Sequence, residues 1–356
     1  MKLLHASDFH LDSPFHRLDG EKAMLRRREL RDIPARLAAL AVEEQVDLVL
    51  LSGDLFDGER VYPETVQAMT QALASIPCPV FIAPGNHDHC RPGSPYLTAE
   101  WPEHVHIFTR STMEHVELPG LNCTVHGCAF TEAHRENDPL AGFTTPDDGR
   151  LHLICIHGEV GKEGRYGPID PRSLALSGAD YVALGHVHAC SGLQWEGSTP
   201  WAYPGCPEGR GFDEAGPKGA LILTLDKGSA DCRFRPLCRR QYRVEQVEAD
   251  HFRDSLPTGT DPDLVRILLT GESDTAPDLD SLTALAAPHY FHVELRDETT
   301  LPQQLWARAE EDSLTGFFLR EMRLLLDRAA PEEQAELLLA ARFGLAALEG
   351  REDIRP

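Results

Sequence analysis

The sequence predicts an α/β protein, and three features point to that class. Residues 1–88 alternate strand-like and helix-like segments in the order β-α-β-α-β. The strand segments are nearly continuous apolar runs, as at residues 46–51 and 79–83, which is the pattern of strands buried on both faces. Polar residues of metal-binding type stand where these runs end, at the edge where open α/β sheets gather their ligands. With 356 residues and 42% apolar content, the chain has the material for two domains and a large core.

Residues 2–6 form the first expected strand, which ends at Ser7-Asp8-Phe9-His10. Asp8 and His10 can chelate one ion there, once the chain leaves regular pleating. Leu30, Ile33, Leu37 and Leu40 predict helix within 23–45, with Pro34 as a break or a start, and Arg26-Arg27-Arg28 as a solvated face. The second strand, 46–51, runs into Ser52-Gly53-Asp54-Leu55-Phe56-Asp57, where a carboxylate directly after a Gly is placed to bridge two metals. An amphipathic helix at 64–76 leads to the third strand and to Pro84-Gly85-Asn86-His87-Asp88. In that loop Gly85 permits a sharp turn, Asn86 offers a neutral ligand oxygen and His87 can donate or accept a proton. Asp88 is expected to orient the His87 ring by accepting its other N–H.

Short strands at 116–118 and 124–129 assign residues 91–150 to a second sheet. Buried strands return at 151–156 and 181–184, ending at His157-Gly158 and Gly185-His186-Val187-His188. Gly209-Arg210-Gly211-Phe212 reads as a hairpin loop before a strand at 219–225, with admission of a phosphate by its glycines as the alternative. The character changes at 241. Strands at 242–247, 264–270 and 290–295, with helices at 281–287 and near 250–256, make a small α/β unit. From 301 the pattern is helical, as one helix over 301–329 and a second that restarts at Pro331-Glu332-Glu333 and carries Leu338, Ala341, Leu345 and Leu348. The expected units are therefore 1–240, 241–300 and a tail at 301–356.

The net charge of −23 argues against gripping nucleic acid through the overall field. Residues 241–356 are the more acidic part, with 11 Lys and Arg against 24 Asp and Glu. The nine Cys include no CxxC pair, and Cys123, Cys128 and Cys155 sit in apolar runs, which suits buried thiols in a reducing cytosol. The N-terminus turns polar too early for a signal peptide, and no run approaches the roughly 18 apolar residues of a membrane span. A cytoplasmic location without membrane attachment is the expectation.

The strand ends collect Asp8, His10, Asp54, Asn86, His157, His186 and His188. Such a mixed nitrogen and oxygen set, with one carboxylate to bridge, suits two divalent ions about 3.5–4 Å apart. No thiol belongs to it, which disfavours a structural zinc. The motifs Asp-x-His, Gly-Asp, Gly-Asn-His-Asp, His-Gly and Gly-His-x-His, in this order, resemble those of the calcineurin-like metallophosphoesterases. His10-Leu11-Asp12-Ser13-Pro14-Phe15, Gly53-Asp54-Leu55-Phe56-Asp57, Gly93-Ser94-Pro95-Tyr96 and Tyr203-Pro204-Gly205 with Gly209-Arg210-Gly211-Phe212, Glu214 and Lys218-Gly219 narrow the resemblance to SbcD/YhaO-type DNA repair exonuclease subunits, over about residues 1–225.

That resemblance implies a four-layer α/β/β/α sandwich with a small α/β cap and a helical C-terminal tail. It implies two ions, manganese first and iron second. Asp8, His10 and His188 would hold one, Asn86, His157 and His186 the other, and Asp54 both. His87 would be the catalytic acid, held by Asp88, in an in-line attack of an activated water on phosphorus. Many nucleases of this family carry a second catalytic His three residues after the bridging Asp, and Asp57 stands there instead. The implied function is a DNA exonuclease or endonuclease of DNA repair. Its implied partner is an SbcC-like coiled-coil ATPase docked on the tail, with a homodimer as a further arrangement. Two other functions stay open: a phosphodiesterase or phosphatase for a small nucleotide or other phosphoester, since one site serves many substrates, and a non-catalytic interaction scaffold. The extra α/β unit and tail favour DNA, because small-substrate members need them less.

Overall fold

Successive residues of the first strands enter two different cores. In the strand Lys2–Ala6, Leu4 and Ala6 belong to one core and Leu3 to another; in Leu48–Leu51, Val49 and Leu51 divide from Leu48 and Leu50 in the same way. Side chains alternate across a strand, so a strand covered on both faces must be apolar throughout. That is the physical origin of the continuous runs.

The computed structural model describes residues 1–58, 60–161, 163–273 and 275–350, in two compact units, Met1–Gln241 and Tyr242–Pro356. In the first unit one sheet runs Ser229–Pro236, Gly219–Asp226, Lys2–Ala6, Leu48–Leu51, Val80–Ile82, Val105–Ile107. The other runs Gln194–Glu196, Thr199–Ala202, Tyr181–Gly185, Leu151–His157, Cys123–Gly127, Glu114–Leu118. Leu3, Leu48, Leu50 and Phe81 of one sheet pack on Val125, Leu153, Tyr181 and Ala183 of the other. The helices Gly20–Arg31, Ile33–Glu44 and Pro63–Ala74 cover the outer face of the first sheet; the helix Pro171–Leu176, with Leu140, covers the second. The order is helix, sheet, sheet, helix. Within each sheet the central strands are parallel, so their C-terminal ends share one edge.

Four expectations change. Residues 91–150 serve both sheets, since Val105–Ile107 pairs in parallel with Val80–Ile82. The helix expected within 23–45 is two helices, and Pro34 sits in the first turn of the second, where its missing N–H costs nothing. Arg26 is not solvated. It is fully buried between Glu29 (2.7 Å) and Glu208 (2.6 Å), a pairing a cation needs when it leaves water. The segment 301–329 is Gln303–Ala307, a 3-10 turn Arg308–Glu310 and Leu314–Leu326. Ser313 starts the last of these, its side chain accepting the Gly316 N–H at 3.1 Å, while Arg320 donates to the Glu311 carbonyl at 3.2 Å.

In the second unit Tyr242–Glu248, Asp261–Thr270 and Tyr290–Asp297 form a parallel sheet with its own core, which includes Phe252, Ile267 and Ala286. The helices Leu314–Leu326 and Pro331–Leu348 share another core through Leu319, Met322, Ala341 and Leu345. Arg342, buried on the last helix, donates to Asp297 (2.9 Å) and to the Thr299 carbonyl (3.0 Å), which ties that helix to the sheet's last strand. Among the described residues, no helix is long and apolar enough to cross a membrane.

Two buried imidazoles make the first unit acid-sensitive. His5 is bonded to the Ser52 (2.7 Å) and Tyr181 (2.8 Å) hydroxyls, and burial pushes its pKa from 6.5 down to about 3. His126 is pushed down to about 4, first by burial, then by His152 and His115. Both pKa values are lower in the folded state, so between pH 6.5 and 4 the unfolded chain binds protons that the native chain does not. Stability is then present above that window and falls as pH falls through it, at up to about 1.4 kcal/mol per pH unit for each His. Urea melts of chelated protein at pH 7, 6 and 5 should show the fall, and His126→Gln should remove about one proton's share of it. An unchanged slope in the variant would mean that His126 is protonated in the native state.

Candidate metal centre

The strands stop abruptly at the shared edge. Asp8 (φ 56°), His10 (φ 44°), Asp54 (φ 51°) and His186 (φ 107°) all have left-handed backbone, which L-residues avoid unless the surroundings impose it. At Asp8, His10 and Asp54 the imposition is a zipper between two exits: the N–H groups of Asp8, His10 and Leu11 donate to the carbonyls of Gly53, Asp54 and Leu55, each at 3.0 Å, while the His186 N–H donates to Asp8 Oδ1 at 3.0 Å. The turn at Asp8 and again at His10 brings both side chains to one side. Gly185 is required by close approach, because a Cβ there would strike the Ser52 carbonyl oxygen.

All seven expected ligands lie in this cluster. Asp8, His10, Asp54 and His157 are almost wholly buried, and Asn86 nearly so. Ligand atoms of Asp8, His10 and His188 lie within 4.8 Å of one another, as do those of Asp8, Asp54 and His157. Asp54 Oδ2 stands between the two groups, 3.7 Å from His10 Nε2 and 3.5 Å from His157 Nε2. Asn86 Oδ1 is 3.0 Å from His157 Nε2. The His186 ring lies 5.4 Å from that of His157 and 5.3 Å from Tyr166, centre to centre.

The imidazoles are aimed from behind. His10 Nδ1–H donates to Asp57 Oδ1 (3.1 Å), His188 Nδ1–H to Glu214 Oε1 (2.7 Å) and His157 Nδ1–H to the Ser52 carbonyl (2.9 Å). An acceptor at Nδ1 fixes the tautomer and leaves Nε2 as a bare lone pair. His10 Nε2 and His188 Nε2 therefore face each other at 3.1 Å as two acceptors. Burial first, then the charges of Arg210, His188 and His87, hold His10 well below its usual pKa, which disfavours a second proton at that contact. Burial and the charges of Asp88 and Asp8 push the Asp54 carboxyl well above the carboxylate range. Facing lone pairs and crowded buried carboxylates are unfavourable alone and favourable around cations. The residues fit two divalent ions.

His87 is exposed at the rim, its ring edge-on to His10 at 4.7 Å between centres, and its backbone N–H donates to Asp54 Oδ1 at 2.9 Å. Its pKa is lowered, mainly by partial loss of hydration on a ring that stays open at the rim, against the pull of Asp57 and Asp88. Asp88 does not play the expected part. Its carboxylate is committed to the loops, accepting the N–H groups of Gly85 (2.9 Å), Leu55 (2.7 Å) and Phe56 (3.1 Å) and the Tyr96 hydroxyl. It clamps the Asn86 loop to the Asp54 loop and reaches His87 through charge. The sequence also names Glu214 only through the resemblance, with no role behind His188, and Asp57 only as a missing His. Gly209-Arg210-Gly211-Phe212 is not a hairpin; it leads into the 3-10 turn Phe212–Glu214 that delivers Glu214 to His188. The signal available was the run of glycines around two opposite charges.

The calcineurin-like phosphoesterase family matches this chain over residues 1–190. Over 247 residues the chain is 31% identical to the uncharacterized metallophosphoesterase YhaO of Bacillus subtilis (strain 168), covering 66% of this chain and 60% of that protein. Over 267 residues it is 27% identical to the DNA double-strand break repair protein Mre11 of Aeropyrum pernix, covering 68% and 63%. The chain thus spans less than two thirds of the length of these two relatives. The solved structure of TT1561 of Thermus thermophilus is 14% identical, with a TM-score of 0.42, over 65% of this chain and 98% of that one.

Proposed function

We propose that this chain, which belongs to the calcineurin-like phosphoesterase family, is a two-metal phosphodiesterase that cuts DNA as the nuclease of a repair assembly. The observation that carries the hydrolytic part is the convergence of bare Nε2 atoms and carboxylates at one sheet edge, with Asp54 Oδ2 between two ligand groups. Two divalent ions bound there, Mn²⁺ first and Fe²⁺ second, supply charge neutralisation of the phosphate and a water of lowered pKa. The chain's own residues do the rest. Asp8, His10 and His188 hold one side, Asn86, His157 and His186 the other, and Asp54 joins them. His87, at the open rim, is placed to give a proton to the leaving oxygen.

DNA as substrate is supported by the likeness to Mre11, whose name assigns it to double-strand break repair. An SbcC-like ATPase is the partner we propose, through Leu314 (71% exposed) and Phe317 (56% exposed) on the helix Leu314–Leu326. A partner with a basic surface would offset the chain's own charge of −23.

The test is hydrolysis of end-labelled single-stranded and duplex DNA, beside bis(4-nitrophenyl) phosphate, with chelated and Mn²⁺-loaded protein. Cleavage of both classes only with Mn²⁺ is expected. Hydrolysis of the small ester without DNA cleavage, with or without the ATPase, would favour the small-substrate function. Leu314→Asp with Phe317→Asp should leave the small ester reaction unchanged and abolish co-purification with the ATPase.

A further inference from the structure

Arg210 lies behind the metal centre and touches no expected ligand atom that faces an ion. Its Nη2 donates to Glu214 Oε1 (2.8 Å) and its backbone N–H to Glu214 Oε2 (2.8 Å). Its Nη1 reaches Asp57 Oδ1 (3.3 Å) and Ser13 Oγ (3.4 Å). Glu214 Oε1 and Asp57 Oδ1 are the same two oxygens that accept from His188 Nδ1–H and His10 Nδ1–H. Arg210 Nη2 and His188 Nδ1 stand 3.0 Å apart, a close approach of two nitrogens that both point at Glu214 Oε1. The groups in this chain of contacts come from separate loops: His10 and Ser13 from the first, Asp57 from the second, His188 from a third, and Arg210 with Glu214 from the last.

We propose that Arg210 is a positioning residue for one of the two ions, tying the acceptor behind His10 to the acceptor behind His188 so that the two imidazoles are aimed as a unit. A guanidinium can do this because its donors form a planar fork that serves two carboxylates at once; an ammonium is a single point and serves one well. Without the fork, Asp57, which is only half-buried, is free to turn toward water, and His10 loses its aim. The other ion's side is built without Arg210: His157 is aimed by the Ser52 carbonyl, and Asn86 by the loop that Asp88 clamps. The effect is therefore confined to one ion. This rests on the two-metal reading above and assigns a role within it to a residue that sequence reading left in a hairpin.

Mn²⁺ titration of the full chain, followed by the electron paramagnetic resonance of free Mn²⁺, tests it without any substrate. Arg210→Gln should weaken one of two Mn²⁺ sites by about 10–100-fold, the usual cost of losing a group that orients a ligand, and leave the other within about threefold. Arg210→Lys should recover part of the loss. Arg210→Gln should also lower the melting temperature of the metal-free protein, because Glu214 and Asp57 lose a largely buried cation, so the titration is run well below that temperature, where the variant is folded. Two sites of wild-type affinity in Arg210→Gln, or equal weakening of both, would overturn the proposal. If Arg210→Gln does not fold, Arg210→Lys carries the test with the same two outcomes in smaller measure. A wild type that binds fewer than two ions would count against the two-metal reading; a wild type with two ions and an indifferent variant counts against Arg210 alone.

Discussion

Asp54→Asn should abolish hydrolysis, by about 10³-fold or more, which is roughly 4 kcal/mol of transition-state stabilisation. The substitution keeps the shape of the side chain and the acceptor for the His87 N–H, which Asp54 Oδ1 now receives at 2.9 Å. What changes is Oδ2, the atom that stands 3.7 Å from His10 Nε2 and 3.5 Å from His157 Nε2. An amide NH₂ there offers protons to two bare nitrogens where the carboxylate offered charge to two ions. The metal-free variant should be at least as stable as wild type, because a neutral group replaces a buried carboxylate already crowded by Asp8 and Asp88. The rise in stability that saturating Mn²⁺ confers, about 2.7 kcal/mol at a hundredfold excess over Kd, should be lost for at least one ion. Hydrolysis within tenfold of wild type, or an undiminished Mn²⁺ effect on melting, would rule out Asp54 as the shared ligand.

His87→Ala should separate chemistry from binding. On a phosphodiester with a poor leaving group, kcat should fall by about 10²–10⁴, the usual worth of a positioned proton donor. On a nitrophenyl ester, whose leaving group needs no proton, the loss should stay near tenfold or less, because that barrier does not depend on the donor. Both ions should remain, since the variant keeps the backbone N–H that steadies Asp54. The measurement also addresses a second geometry. Atoms of His87 lie within 4.8 Å of those of His10 and Asp54, close enough to share an ion. Loss of one Mn²⁺ with equal loss of rate on both substrates would make His87 a ligand and not the acid.

Much of the centre was legible because strand burial writes itself into the chain. The runs ending at Ala6, Leu51, Ile82, His157 and Gly185 are apolar on both faces, and a ligand-type residue follows or closes each. Parallel strands then bring those ends to one edge, so residues far apart in sequence needed no contact information to be grouped. Glu214 and Arg210 were legible as residues of a resemblance, but their roles and the true place of Asp88 were not. Each residue works through partners 3 to 197 residues away, as between Asp88 and Gly85 or Arg210 and Ser13, and neither a period nor a motif says which group holds which. Arg26 was misread for the same reason: its burial depends on Glu208, 182 residues on.

What the sequence by itself determined is the α/β class, the strand exits and the chemical kind of the seven side chains gathered there. Alternation and residue type are local, and local facts survive reading one residue at a time. What only the tertiary structure decided is how those side chains are aimed. Left-handed turns at Asp8, His10 and Asp54 exist because neighbouring exits zip together, and the bare faces of the His10, His157 and His188 imidazoles exist because something distant holds the other nitrogen. Aim is set by pairs of groups that folding brings within about 3 Å of each other, and hydrogen-bond strength falls too steeply with distance and angle for any one-dimensional pattern to encode it.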